Sequence, residues 1–272
     1  MALTSRRAEA AKFTLLAGAA FFVLVPFWVM ISISLKDLRQ FLDNILYPTS
    51  PFQWQNYVEG WEAVSPYIIN TLVVAAVVTV VSLTLSSLTA YVFARYEFPG
   101  KTPLFYALMV LLMIPGILNL IPQYVLALRL GLVGTAWALI LFYVASRQVL
   151  EVYILRTFFL GLPKELFEAA QMDGASDIRQ YWSIALPLSK SILGTLAIMT
   201  VVFVWNDYIW PLVAADNFKT VSVGLAYLTK QHSTSWGPLM AGYAIASLPL
   251  ILLFSVTMRY FVEGIATGAI KA

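Results

Sequence analysis

Residues 168–187 of the chain read EAAQMDGASDIRQYWSIALP. This charged stretch lies between two long apolar runs, Thr135–Leu155 and Ser191–Ala214. An apolar run of about 20 residues is long enough to cross a ~30 Å hydrocarbon core as a helix. A polar segment between two such helices must serve something outside the bilayer. Residues 168–187 therefore indicate a membrane protein with a structured element on one aqueous side.

The composition supports this class. The chain has 272 residues, of which 60% are hydrophobic and 11% charged, whereas a soluble domain is nearer half apolar and a quarter charged. Transmembrane strands would be shorter and would alternate in polarity. We therefore predict an all-α integral membrane protein with six transmembrane helices. The predicted helices are Phe13–Leu35, Tyr67–Phe93, Leu104–Leu126, Thr135–Leu155, Ser191–Ala214 and Met240–Val262.

The basic residues predict the orientation of these helices. Of the 17 Lys and Arg residues, eleven lie on the side of the N-terminus and five on the opposite side, with Arg147 inside a helix. Because basic residues are enriched in cytoplasmic connectors, both termini are predicted to be cytoplasmic. A cleaved signal peptide is the alternative for the first run, but that run is longer than a signal sequence requires.

Local signals predict the fold of the charged stretch. Pro163 favours a helix start, and Gly174 favours a helix end because glycine accepts the left-handed backbone there. Ser176 is suited to cap a second short helix that reaches Ala185, after which Leu186–Pro187 turns the chain into the fifth apolar run. A helix–turn–helix at the cytoplasmic face follows. Geometry alone leaves open whether it binds a partner or packs only on its own protein.

The composition also excludes several functions. With no cysteine and one histidine, His232, the chain can form neither disulfides nor clusters of Cys or His metal ligands. We find no glycine-rich nucleotide loop, so no cofactor or metal is predicted in this chain. The basic residues lie between apolar runs, which argues against nucleic-acid binding. Beyond Asp207 the helices are expected to carry almost no carboxylates, which argues against a proton-coupled carrier and against a membrane enzyme.

The charged stretch carries a family signature, in which E-A-A, three residues, G, nine residues and I-x-L-P follow one another. The chain thereby resembles the permease subunits of binding-protein-dependent ABC importers. Further motifs resemble the maltose-permease-like branch of carbohydrate importers. These are Asn70-Thr71, Ile121-Pro122-Gln123-Tyr124, Trp205-Asn206-Asp207 and Arg259-Tyr260-Phe261-Val262-Glu263-Gly264.

The resemblance implies a type I importer fold and a set of partners. These are a second permease subunit, two ATPase subunits that bind ATP and Mg, and an extracytoplasmic solute-binding protein. It divides the chain into a cytoplasmic segment 1–12, a transmembrane domain 13–262 with core 67–262 and coupling loop 160–190, and a tail 263–272. The implied cargo is a sugar or oligosaccharide carried across the inner membrane. A polyol, glycerol phosphate or another polar solute is the alternative.

The resemblance also assigns roles to residues of the coupling loop. Glu168 is the expected polar anchor at an ATPase cleft, Ala169 and Ala170 allow close approach, and Gly174 sets the turn. The full set of expected coupling residues is Glu168, Ala169, Ala170, Asp173, Gly174, Ile184, Leu186 and Pro187.

Polar residues inside the apolar runs are candidates for the solute pathway, because a buried polar group in the membrane needs a partner. Bonds between helices are the structural alternative for each of them. The candidates are Asn119, Gln123, Arg147, Gln148, Asn206 and Asp207. The connector from about Asp216 to Pro238 is expected to approach the binding protein. Its candidate contacts are Tyr227, Lys230, His232 and Trp236.

Overall fold

Helices account for all the regular secondary structure in the computed structural model, which describes the backbone of residues 2–231 and 235–269. Side chains are described for residues 8–230 and 235–258. The helices in chain order are α1 (Ala2–Ser34), α2 (Leu38–Asp43), α3 (Gln55–Arg95), α4 (Lys101–Leu112), α5 (Leu120–Arg129), α6 (Ala136–Leu160), α7 (Lys164–Met172), α8 (Asp177–Gln180), α9 (Leu186–Leu188), α10 (Lys190–Asn206), α11 (Ile209–Ala214), α12 (Val221–Gln231) and α13 (Trp236–Ala269).

Six segments within the described residues are long and apolar enough to cross a membrane. Four of them are single helices, namely α1, α3, α6 and α13. The other two are bent pairs: α4 with Gly116–Arg129, at 94°, and Asp177–Leu188 with α10, at 75°. The predicted all-α fold with six apolar spans is therefore confirmed when each bent pair counts as one span.

The bend between α4 and α5 lies where the sequence has Pro115 and Gly116. Pro115 has an extended ψ of 124°, and a single 3₁₀ turn, Gly116–Asn119, leads from it into α5. Proline lacks the backbone N–H that a continuous helix would use, so a break is expected there. The 94° bend makes this span two helices.

One predicted boundary was wrong, and one helix was not predicted. Helix α3 begins at Gln55 rather than Tyr67, and it continues through Pro66. Its first turns carry Glu59 and Glu62, so a search for apolar runs detects only the later part of the helix. The connector after Asp216 contains α12, an 11-residue helix that hydropathy did not reveal.

The chain divides into two compact units, Met1–Ile68 with Gly224–Pro249 and Ile69–Val223 with Leu250–Ala272. In the first unit α3 and α13 approach closely at Gly60, where an added Cβ would lie 2.8 Å from the Gly242 nitrogen. Small residues permit such close helix approach in membranes.

The second unit contains two apolar clusters. One joins α3, α6, α10 and α11 around residues such as Val78, Leu139 and Trp210. The other lies beside residues 160–190 and includes Tyr91, Phe159 and Tyr181. The second cluster positions the candidate site, because its members come from α3, from α6 and from the charged stretch itself.

Candidate functional site

Residues 160–190, here termed the coupling segment, fold as two short helical pieces joined by a tight turn. Helix α7 follows Pro163, and Gly174 has φ +77°, the left-handed backbone that glycine adopts without strain. The turn closes through a 2.9 Å hydrogen bond from the Ala175 N–H to the Ala170 carbonyl. The Ser176 hydroxyl then accepts from the Arg179 N–H and caps α8. The predicted helix–turn–helix is confirmed.

The second piece is longer than predicted. A π-helical turn, Tyr181–Ala185, follows α8 and leads directly into α9. Pro187 is tolerated because it lies in the first turn of α9, where its missing N–H costs no hydrogen bond. The change of direction into α10 falls at Ser189 rather than at Leu186–Pro187.

The expected coupling residues divide between two faces. Glu168, Ala169, Asp173, Gly174 and Pro187 are exposed, whereas Ala170, Ile184 and Leu186 are partly buried. Ile184 and Leu186 pack against the second apolar cluster. The signature therefore combines residues that face outward with residues that hold the segment to its own chain.

Two large apolar side chains on the exposed face were missed by the sequence reasoning. Met172 is 89% exposed and Ile178 is 72% exposed, and they flank the turn at Gly174. Their signal was present in the sequence, since each is an isolated apolar residue among polar neighbours. The outward face therefore offers apolar side chains as well as Glu168 and Asp173.

The inward face of the coupling segment contacts the end of α3. The Tyr181 hydroxyl is hydrogen-bonded to the Ser87 hydroxyl at 2.7 Å. Partial burial of Tyr96, just beyond α3, and its hydrogen bond to Asp177 raise the pKa of the phenol to about 12. Tyr96 therefore stays protonated at neutral pH and can donate to the Asp177 carboxylate.

A buried carboxylate, Glu151 on α6, was also missed, and the expectation of almost no carboxylates beyond Asp207 was wrong. Glu151 is fully buried. It accepts hydrogen bonds from three hydroxyls, those of Ser82 (3.1 Å), Ser86 (2.9 Å) and Thr200 (2.8 Å). It also pairs with Arg147, whose Nε lies 3.4 Å away. The carboxylate thus links α3, α6 and α10.

Four of the six pathway candidates are engaged with their own chain. Arg147 is 8% exposed and also donates from Nε to Thr200, and Gln148 donates to the Ser82 carbonyl. Asp207 accepts a 2.7 Å hydrogen bond from the Tyr143 hydroxyl. Asn206 is exposed at the end of α10 and donates to a carbonyl of that helix. The bonds of Arg147, Gln148 and Asp207 match the structural alternative, in which polar groups join helices, whereas the bond of Asn206 stays within α10.

The other two candidates line one cavity. Asn119 and Gln123 lie beside the bend of α4 and α5, in a cavity of about 570 Å³ whose far wall belongs to α6. Ser146 and the Phe142 ring lie on that wall. None of the residues that line this cavity is charged. The cavity can offer neutral amide and hydroxyl groups against an apolar surface.

The candidate contacts for a binding protein lie partly on helix. Tyr227 and Lys230 are on α12, with the Lys230 ammonium 5.9 Å from the centre of the Tyr227 ring. Trp236 begins α13 and stacks on Phe41 with ring centres 5.4 Å apart. His232 lies outside the described residues. Contact of these residues with a binding protein stays a prediction.

Comparison with known proteins gives a consistent result. A family model described as "Binding-protein-dependent transport system inner membrane component" matches residues 82–267. The "Probable ABC transporter permease protein YurM" of Bacillus subtilis is 37% identical over 228 residues, covering 81% of this chain and 75% of that protein. The "Arabinooligosaccharides transport system permease protein AraQ" of Halalkalibacterium halodurans is 30% identical, covering 94% of each.

Two further matches bear on cargo and fold. The "sn-glycerol-3-phosphate transport system permease protein UgpE" of Yersinia pestis is 31% identical, over 89% of this chain and 90% of that protein. A chain from a crystal structure of a bacterial ABC transporter that imports the acidic polysaccharide alginate aligns with TM-score 0.79. That alignment covers 95% of this chain and 98% of the other at 20% identity. At 20% identity, this structural similarity shows the fold alone.

Proposed function

The chain belongs to the family of binding-protein-dependent transport system inner membrane components, and from this membership we propose that it carries a sugar or oligosaccharide into the cell. It is a multi-pass inner-membrane permease of an ABC importer. The observation that carries the proposal is the folded coupling segment. Its signature residues form a rigid turn with an exposed outer face, beside six apolar spans.

The cavity beside the bend of α4 and α5 supports a neutral cargo. Asn119, Gln123 and Ser146 can bond hydroxyl groups, and the Phe142 ring offers a flat apolar surface. A phosphate group would instead favour a cationic partner. The nearby candidate cation, Arg147, is paired with Glu151 and does not line this cavity. A hydroxyl-rich, uncharged solute therefore suits the cavity better than glycerol phosphate.

The exposed face of the coupling segment is the proposed contact for an ATPase subunit. Met172 and Ile178 present apolar surface on either side of the turn, and Glu168 and Asp173 present charge. A short helix with such a face is suited to a groove in a partner protein. In this proposal ATP and Mg bind the two partner ATPases, and this chain transmits their movement without catalysing hydrolysis.

The remaining partners follow from the same proposal. A second permease subunit completes the pathway, and an extracytoplasmic solute-binding protein delivers the sugar to the side opposite the coupling segment. The excess of basic residues on the N-terminal side supports a cytoplasmic position for the coupling segment and for both termini.

Uptake by the reconstituted complex tests the function. The chain is purified with the subunits that assemble with it and is placed in vesicles with ATP inside and the binding protein outside. We expect ATP-dependent accumulation of a radiolabelled oligosaccharide and none of labelled glycerol phosphate. Accumulation of glycerol phosphate alone would reverse the assignment of cargo. Uptake of either solute that is independent of ATP would refute the importer mechanism.

A further inference from the structure

We propose that the joint between the coupling segment and the end of α3 transmits movement of the ATPases into that helix, with Ser87, Arg95 and Tyr181 as its positioning residues. This inference rests on the proposed function. It assigns a task to contacts that neither solute binding nor ATP hydrolysis requires. The joint lies wholly within the unit formed by Ile69–Val223 and Leu250–Ala272.

The first part of the joint is an aromatic cluster centred on Tyr91 of α3. Its ring packs edge-on against Tyr181, with centres 5.3 Å apart, and against Phe159 of α6, at 5.9 Å. It also packs against Phe167 of α7 at 6.4 Å. Tyr91 is 6% exposed. Both pieces of the coupling segment therefore contact the same buried residue.

Three directional contacts fix the orientation of this packing. The Ser87 and Tyr181 hydroxyls are 2.7 Å apart in a buried hydrogen bond. The Arg95 guanidinium lies over the Phe167 ring, with its central carbon 3.6 Å from the ring centre. Arg95 also donates to the Leu162 carbonyl at 3.3 Å. Unlike apolar packing, these bonds resist rotation and sliding of the coupling segment along α3.

The covalent connection to α10 is less suited to this task. The helix axis turns by 75° at Ser189, between Asp177–Leu188 and Lys190–Asn206. A break of this kind lets the two helices change their angle without breaking many contacts. Side-chain contacts across the joint to α3 provide a path that bypasses this break, because packed side chains transmit displacement with little compression.

The experiment measures solute molecules imported per ATP hydrolysed in the reconstituted complex. Tyr181→Phe keeps the ring and removes the hydroxyl, and Ser87→Ala removes the other partner of the same bond. We expect each to lower the ratio by roughly 2- to 10-fold, the effect of one lost hydrogen bond. The double variant should be no worse than either single variant. Tyr153→Phe, the same change at an exposed tyrosine of α6 outside the joint, is the matched control and should keep the wild-type ratio.

The contact between the Arg95 guanidinium and the Phe167 ring is tested in the same assay. Arg95→Ala should lower the ratio, and Arg95→Lys should restore part of it, because an ammonium also binds an aromatic face. Unchanged ratios in all the joint variants would overturn the inference, as would an equal fall in Tyr153→Phe. A wild-type complex without ATP-dependent uptake would instead show that the proposed function has failed.

A distance measurement tests the joint independently of transport. The chain has no cysteine, so spin labels can be attached at Val92→Cys on α3 and Ser183→Cys in the π-helical turn after α8, both of which are exposed. In the assembled complex we expect the same narrow distance distribution with and without nucleotide, and a broader distribution when Arg95→Ala is added. A nucleotide-dependent change in the distance between the two labels, with the joint otherwise wild-type, would refute the inference.

Discussion

Replacing Glu151 by alanine should destabilise the chain more than any other single truncation in α6. The carboxylate is fully buried and accepts bonds from three hydroxyls on two other helices. It is also the ion-pair partner of Arg147. The substitution removes all four interactions, and it leaves a guanidinium buried without a counter-charge.

The magnitude follows from these contacts. Interhelical hydrogen bonds in membranes contribute about 0.6 kcal/mol each, so the three hydroxyl bonds account for about 2 kcal/mol. An unpaired buried charge costs a further ~3 kcal/mol at least. Glu151→Ala should therefore lower the free energy of unfolding by about 5 kcal/mol, a large share of the 5–15 kcal/mol that is typical of folded proteins. Glu151→Gln keeps the size but only one of the two acceptor oxygens, so it should lose about 3.6 kcal/mol, the ion-pair part and the bond from Ser86 to the second oxygen.

The assay is denaturant unfolding of the purified chain in detergent micelles, followed by tryptophan fluorescence. Ser146→Ala, at an exposed position of the same helix, is the control and should change little. The double variant Glu151→Leu with Arg147→Leu removes both charges, so it should be more stable than Glu151→Ala alone. The reasoning is refuted if Glu151→Ala unfolds at the same denaturant concentration as the control. It is also refuted if the double variant loses as much free energy of unfolding as the two single substitutions together.

Three further predictions concern the coupling segment, the cavity and the first unit. Gly174→Asp should leave ATP hydrolysis active but abolish uptake, because a side chain at φ +77° strains the turn that presents the proposed ATPase contact, although its Cβ meets nothing within 4 Å; both rates are measured in vesicles. Asn119→Ala and Gln123→Ala should each raise the sugar concentration for half-maximal uptake by roughly 2- to 10-fold, for one lost hydrogen bond to a hydroxyl. Gly60→Ala should destabilise the chain by about 1–3 kcal/mol, because the added Cβ would lie 2.8 Å from backbone of α13; unfolding in micelles measures this.

Matched glycines serve as controls for two of these predictions. Gly131 also has a positive φ, +67°, with open space around its Cβ position, so Gly131→Asp imposes the same backbone strain outside the coupling segment. Equal loss of uptake in both variants would contradict the role of Gly174. Gly18→Ala adds a methyl group where nothing lies within 4 Å, and equal destabilisation by Gly18→Ala and Gly60→Ala would contradict the packing argument.

Local chemistry accounts for the features that the sequence predicted well. Pro163, Gly174 and Ser176 act through their own backbone or an adjacent N–H, so their effects can be recognised without knowing the fold. The same holds for Pro115, which lacks the N–H that a straight helix would need. The angle of the resulting bend could not be predicted, since it depends on what α4 and α5 pack against.

The features that were missed depend on residues far apart in the sequence. Glu151 is one carboxylate in an apolar run, and its partner hydroxyls at Ser82 and Thr200 are 69 and 49 residues away. Only the fold reveals that they meet. Conversely, Arg147 and Gln148 were candidates for the solute pathway because they are polar. The structure gives each of them a bonding partner within the protein.

The length of α3 has a consequence for the surface that this permease presents to water. A helix of 41 residues is about 60 Å long, which is twice the ~30 Å thickness of the hydrocarbon layer. Even with a tilt of about 20°, roughly 30 Å of helix must lie outside the hydrocarbon layer. The first turns of α3, which carry Glu59 and Glu62, have the polarity for such an overhang. Few connectors of this chain are long enough to fold by themselves. Part of its aqueous surface is therefore built by a membrane helix that extends into water.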